Sequence, residues 1–190
     1  LFGAEMDKPD LSPEALSRSF SNEGTIQGSY RPLNNIVGMW IIQECRRDWQ
    51  KQGIDLSWDA IVEAAKAATP LVSVINPDAP DFYAGGNMVQ KIKDFCRNTN
   101  QPVPETVGAV ARCVYESLAL KYRNALEGLE AMKGQRIDSL NIVGGAINNK
   151  FLDQLIADAL DREVVTGPVE GAAIGNLLTQ AMALGDIKDL

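Results

Sequence analysis

Leu140-Asn141-Ile142-Val143-Gly144-Gly145-Ala146-Ile147-Asn148-Asn149 is the stretch on which the fold turns. Leu140 to Val143 is a short apolar run that predicts a strand, the paired glycines end it, and Asn149 to Leu160 follows with helical spacing. Immediately downstream come a second predicted strand (Glu163-Val164-Val165-Thr166), a turn at Gly167-Pro168 and a last helix from Glu170 to Leu184. Strand, glycine turn, helix, strand, turn, helix is the βαβα order of an α/β domain. Paired glycines let a ligand come close to the backbone, and the first amides of the next helix point outward without partners. That geometry suits a nucleotide. The run is neither G-x-G-x-x-G nor a Walker sequence, however, and a tight turn with Asn capping accounts for the same residues.

Upstream the rhythm is mostly helical. Glu105 to Lys133 predicts a long helix, with Val110, Cys113, Val114, Leu118, Tyr122, Leu126 and Leu129 at helical spacing and Gly134 as its C-cap. Asn87 to Arg97 predicts another, followed by the Pro102-Val103-Pro104 break. Ser57 caps a helix that Pro70 ends; Leu71 to Ile75 reads as a short strand or extended segment, and residues 76–87 as an irregular excursion. Asn34 and Asn35 are N-cap candidates for a helix to about Gln52, buried in its first half and amphipathic and surfacing in its second. The first 33 residues predict short strands or loop, turned at Asn22 to Gly24.

Composition narrows the chemistry. The 190 residues hold 18 Lys+Arg against 25 Asp+Glu, a net charge of −7, with three cysteines and no histidine. Without histidine this chain supplies neither a Ser-His-Asp relay nor an imidazole metal site. An acidic chain with no basic block is a poor partner for nucleic acid or an anionic membrane. No apolar run reaches the length of a bilayer span. Cys45, Cys96 and Cys113 form no CxxC and no dense framework, which favours a cytoplasmic setting and three small buried residues; a Cys96–Cys113 bridge is the sharper alternative. The start at Leu1 without Met, and the few residues after the last helix, read as an excised piece of a longer protein.

Few side chains are marked for function. Asn149 lies four residues past Gly145, where its amide could meet a purine edge or simply cap the helix. Asn35 and Gln43 are polar residues placed on the same expected helix, about 12 Å apart along its axis, which suggests a polar substrate near one and a nucleotide near the other, or a cap and a core hydrogen bond. The Gly167–Gly175 cluster reads as a packing surface, Arg46-Arg47 as a solvated face, and Glu127 and Glu130 as solvated helix positions. No carboxylate is marked as a catalytic base.

A resemblance adds to this. Ser21 to Gly24, Tyr30-Arg31, Asn35 to Arg47, Ile75 to Asp78, Gln101 to Glu105, Ser117 to Tyr122, Ile142 to Gly145 and Gly167 to Glu170, in that order over nearly the whole chain, resemble the rhamnulokinases. These are part of the carbohydrate kinase family that includes glycerol kinase and xylulokinase. The resemblance implies an α/β fold: the C-terminal half of an actin-like (ribonuclease H-like) two-domain sugar kinase, helix-rich with a small mixed sheet. Residues 1–190 would be its C-terminal nucleotide-binding domain. It implies ATP and Mg2+ as cofactors, a small-molecule sugar substrate, and as partner an N-terminal domain that carries the phosphate loop and the catalytic Asp. Asn35 matches a sugar-contacting residue, while Gln43 and Gly145 match nucleotide contacts; Asn149 matches the adenine-side Asn of the glycerol kinases. No residue here matches a catalytic or metal position of the family. A kinase for another ketose or polyol, and a non-catalytic actin-like nucleotide-binding module, stay open as alternatives.

Overall fold

In the computed structural model, which describes residues 1–188, the long predicted helix is the spine of the molecule. The last two positions of the expected 1–190 domain lie outside the described residues. This helix, Val107–Lys133, is the fifth in chain order (α5). Its buried face carries Val110, Val114, Leu118 and Leu129 at helical spacing, and Gly134 ends it at φ 68° in the left-handed region. Burying each such aliphatic side chain contributes about 1.5–3 kcal/mol.

Before it come β1 (Phe2–Gly3), α1 (Pro13–Ser17), β2 (Phe20–Gly24), β3 (Tyr30–Asn34), α2 (Trp40–Lys51), α3 (Trp58–Ala67) and α4 (Met88–Asn98). After it come β4 (Ser139–Ile142), α6 (Lys150–Leu160), β5 (Glu163–Thr166) and α7 (Gly171–Leu184). The βαβα reading holds: β4 and β5 pair in parallel, Ser139 opposite Glu163 through Ile142 opposite Thr166, with α6 as the crossover. The other three strands form an antiparallel sheet in the order β1-β3-β2. Side-chain caps start four helices alike, with Ser12 accepting from Ala15 N, Ser57 from Ala60 N, Thr106 from Ala109 N and Asn149 from Leu152 N, each at 3.1 Å. Leu71 to Ile75 forms no strand: Leu71 sits in a turn at φ 52° and Val72 in a bend, and the segment has no strand partner. Its amides donate instead to Glu116 (from Leu71, 2.8 Å), Gln101 (from Val74, 2.8 Å) and Ser117 (from Ile75, 2.9 Å).

Four expectations are corrected. The turn falls at Thr25 to Ser29, closed by the Thr25 N to Ser29 O bond at 2.9 Å, because Asn22 lies inside β2 and spends its amide on both backbone groups of Asp10. Neither Asn34 nor Asn35 caps a helix. Asn34 ends β3 and donates to Arg18 O, Val37 N donates to Asp78 Oδ1 at 3.0 Å, and α2 starts only at Trp40. The second half of α2 is amphipathic, with Glu44, Cys45, Asp48 and Trp49 buried and Arg47, Gln50 and Lys51 exposed. Arg46 is not freely solvated, because its Nε donates to Leu56 O at 2.8 Å and its guanidinium lies 4.9 Å from the Trp58 ring centre. Glu130 joins α5 to the following unit, accepting from Arg162 at 3.0 Å and Ile137 N at 2.9 Å.

The three cysteines are buried and unbridged. Among the described residues no helix is long and apolar enough to cross a membrane.

Candidate functional site

Where α2, α5 and the β4–α6 turn face one another, the chain forms an open cavity of about 740 Å³. Gln43, Gly145 and Asn149 all line it. Gln43 reaches it from the exposed side of α2, next to the buried Ile42. Gly144 leaves β4 at φ 87°, a conformation natural to glycine, and Gly145 opens a single 3-10 turn that leads to Asn149. No neighbouring atom lies within 4 Å of where a Cβ on Gly145 would sit. The backbone at Gly145 is therefore open to close approach from the cavity.

The two βα turns support each other. Gly144 N donates to Pro168 O at 3.2 Å, and Gly167 N donates to Ile142 O at 2.7 Å. A Cβ on Gly167 would come within 2.9 Å of Val143 Cγ1, and one on Gly171 within 3.3 Å of Val143 Cβ. Of the Gly167–Gly175 cluster only Gly167 and Gly171 pack, both against Val143; Gly175 faces open space and Ala172, Ala173 and Ile174 are exposed, so the tight helix packing its small residues suggested is not formed among the described residues. Asn149 fills the capping role through Oδ1, which leaves its amide nitrogen outside the cap.

Two further residues of the cavity wall went unnoticed in the sequence. The Tyr115 side chain is fully buried on α5 and its hydroxyl has no hydrogen-bond partner. Asp153, 8% exposed on α6, keeps Oδ1 without a partner while Lys150 Nζ stands 3.4 Å from Oδ2. An unsatisfied buried group costs about 1–3 kcal/mol. Burial pushes the Tyr115 hydroxyl up to about 12, against the nearby Asn149 amide. Burial also raises the Asp153 carboxyl, with Lys150 opposing. The sequence does carry a signal for Asp153: it follows Asn149 by one helical turn and sits between Leu152 and Ile156 on the buried face of α6. Tyr115 carries none, because an aromatic on the apolar stripe of α5 is indistinguishable from core.

Asn35 lies elsewhere. It is exposed and lines a second, smaller cavity of about 380 Å³ with Arg18, Asp78, Lys121 and Asn124. Lys121 and Asp78 form a partly buried ion pair there at 2.7 Å. Its chain neighbour Ile36 lines the larger cavity, so the backbone passes from one to the other between these two residues. Among the described residues no three His, Cys, Asp or Glu side chains converge to hold a metal ion.

Residues 1–184 match the model of the FGGY family of carbohydrate kinases, C-terminal domain. A rhamnulokinase of Bacteroides thetaiotaomicron is 42% identical over 190 residues, covering 100% of this chain and 38% of that protein. One from Pectobacterium carotovorum is 44% identical over 191 residues, with the same shares. The Bacillus subtilis rhamnulokinase is 37% identical over 190 residues, covering 100% of this chain and 39% of its own length. The chain thus spans less than half the length of the curated relatives it matches. Two solved structures share its fold: a ligand-bound xylulose kinase from Lactobacillus acidophilus (TM-score 0.68, 18% identity, 98% of this chain and 37% of that one) and a gluconate kinase from the same organism (TM-score 0.66, 18% identity, 98% and 37%).

Proposed function

Because the chain belongs to the FGGY family of carbohydrate kinases, in which it matches the C-terminal domain, we propose that it forms the nucleotide-binding wall of an ATP-dependent kinase for L-rhamnulose. The reaction moves the terminal phosphoryl group of ATP to the sugar's 1-hydroxyl, giving L-rhamnulose 1-phosphate and ADP. One observation carries the reading: Gln43, Gly145 and Asn149, more than a hundred residues apart at the extremes, meet in one cavity whose backbone is open at Gly145. The share of the relatives' length that this chain spans, and their naming as rhamnulokinases, support the rest.

In this reading Gly145 admits the nucleotide against the backbone, Gln43 holds it from α2, and Asn149 faces the base. Phosphoryl transfer depends on positioning and on spreading charge over the transferring group rather than on covalent chemistry with the protein. Mg2+ would enter on the nucleotide phosphates, since no convergent set of carboxylates in the described residues offers it a seat. The proton acceptor for the sugar hydroxyl and the phosphate loop belong to the other domain of the full-length protein, its partner across the cleft. Asn35, in the smaller polar cavity, takes a sugar hydroxyl.

The test is a coupled assay of ADP release by the full-length protein with L-rhamnulose, L-fructose, D-xylulose, glycerol and D-gluconate. L-Rhamnulose is expected to give the highest kcat/KM, and residues 1–190 alone are expected to give no turnover. A higher kcat/KM for another substrate reassigns the sugar, and no turnover with any of them sinks the kinase reading in favour of a binding module.

A further inference from the structure

The irregular excursion between Ile75 and α4 builds one wall of the smaller cavity, where Asp78 and Tyr83 stand beside Asn35. Asp78 ties that wall together. Its Oδ1 accepts from Val37 N at 3.0 Å, two residues past Asn35, and its Oδ2 meets Lys121 Nζ at 2.7 Å. Its backbone carbonyl accepts from the Tyr83 hydroxyl at 2.9 Å. That bond spends the hydroxyl's proton and fixes the ring, which is nonetheless 61% exposed. A tyrosine held in this way gives a ligand apolar contact area at little cost in side-chain freedom. The rest of the lining is covered or polar. Phe20 and Ala125 are buried, and the other residues carry a hydroxyl, an amide or a charge. Among the described residues of this lining, the Tyr83 ring is thus the one aromatic or aliphatic side chain left exposed. Such a wall suits a small polyhydroxylated ligand with a single apolar end.

We propose, resting on the kinase reading above, that Tyr83 determines sugar specificity by selecting a 6-deoxy ketose: its ring packs against the C6 methyl group while Asn35 takes a hydroxyl. L-Rhamnulose has a hydroxyl or carbonyl on every carbon but the last, which is that methyl. L-Fructose is the same sugar with a hydroxyl added there. Set against the ring, the added hydroxyl gives up its water and gains no hydrogen bond in return. The methyl lies at the opposite end of the sugar from the 1-hydroxyl, so Tyr83 selects the substrate and takes no part in the transfer.

The experiment compares L-rhamnulose and L-fructose at saturating ATP for the full-length protein and its Tyr83→Ser and Tyr83→Phe variants, with melting temperatures recorded throughout. The wild type is expected to favour L-rhamnulose about tenfold in kcat/KM. Tyr83→Ser is expected to raise the KM for L-rhamnulose by about five- to tenfold, leave that for L-fructose within about twofold and so collapse the preference, with the KM for ATP unmoved. Tyr83→Phe keeps the ring and retains most of the preference. A general loss of fold lowers the rate with both sugars alike and leaves their ratio where it was. A wild type that uses the two sugars equally overturns the proposal, and this arm stands even if a variant does not fold. So does a preference that survives Tyr83→Ser. A wild type that turns over neither sugar defeats the L-rhamnulose reading itself, and this inference with it; turnover of both without a preference defeats the inference alone.

Discussion

The Gly144 amide donates to the Pro168 carbonyl at 3.2 Å, so the turn after β4 and the turn after β5 form one hydrogen-bonded unit. Within that unit the paired glycines have different duties. Gly144 sits at φ 87°, while Gly145 has ordinary backbone and open space where a Cβ would go. Gly144→Ala should therefore strain the turn and cost about 1–3 kcal/mol, read as a lower melting temperature. Gly145→Ala should leave the melting temperature of the full-length protein unchanged and still raise its KM for ATP, because the added methyl meets only the incoming ligand. A matching loss of stability in both variants would mean that Gly145 serves the fold alone.

Asn35 and Gln43 offer a second separation, since they line different cavities. In the full-length protein Gln43→Ala should raise the KM for ATP several-fold with little change for the sugar, and Asn35→Ala should do the reverse. Steady-state kinetics with each substrate varied in turn measures the split. Equal shifts on both axes would deny the assignment of one cavity to each ligand.

Much of this architecture was legible in the chain. The spacing on α5, the glycine after it and the βαβα order of the last third are local signals, and each survived because the tertiary structure asks for what the local sequence prefers. The start of α2 was not legible. Asn34-Asn35 before an apolar run has the look of a cap, but β3 recruits Asn34 and an acidic side chain 41 residues away binds the Val37 amide. Long-range partners of this kind leave no local trace.

The same limit applies to the site. Gln43, Gly145 and Asn149 were singled out from a glycine turn and from resemblance, and they share a cavity. Asn35 and Gln43 do not share the helix on which they were first placed, so the spacing argument that linked them lapses. Tyr115 was hidden by its own hydrophobicity: nothing in a sequence says that a buried hydroxyl lacks a partner. Glu44 and Asp48 were hidden likewise. Asn87 starts α4 at φ 53° with no side-chain cap of its own, and the two carboxylates of α2 supply what it lacks. Glu44 accepts from Gly86 N at 3.0 Å, and Asp48 accepts from Asn87 N at 3.2 Å and Val89 N at 3.3 Å.

That borrowed cap has a pH signature. The Gly86 amide, more than Arg47 beside it, holds the Glu44 carboxyl below its ordinary value. With the folded value depressed, Glu44 binds its proton less readily in the native state than in the unfolded chain. Its contribution is full above the unfolded carboxylate value of about 4.3 and is lost as pH falls through the depressed folded value. Glu44→Gln should therefore lower the melting temperature at pH 7, and the deficit should shrink as melts are repeated from pH 5 downward. A deficit constant with pH would show that the side chain's packing matters and its charge does not.

Asp153 should behave in the opposite sense. Burial raises its carboxyl, so in the folded state the charged form is disfavoured relative to the unfolded chain. The sign follows directly: its favourable share is present below the unfolded value of about 3.9 and is lost as pH rises through the raised folded value. At neutral pH the charge is thus a liability to the fold, relieved only in part by Lys150, whose side chain is 72% exposed. Asp153→Asn keeps the shape and removes the charge. It should raise the melting temperature of the full-length protein at pH 7, by roughly 2–4 °C for each kcal/mol recovered, and the gain should fade as pH approaches 4. If the variant melts below the wild type at pH 7, the ion pair with Lys150 outweighs the burial of the charge and Asp153 is a structural carboxylate.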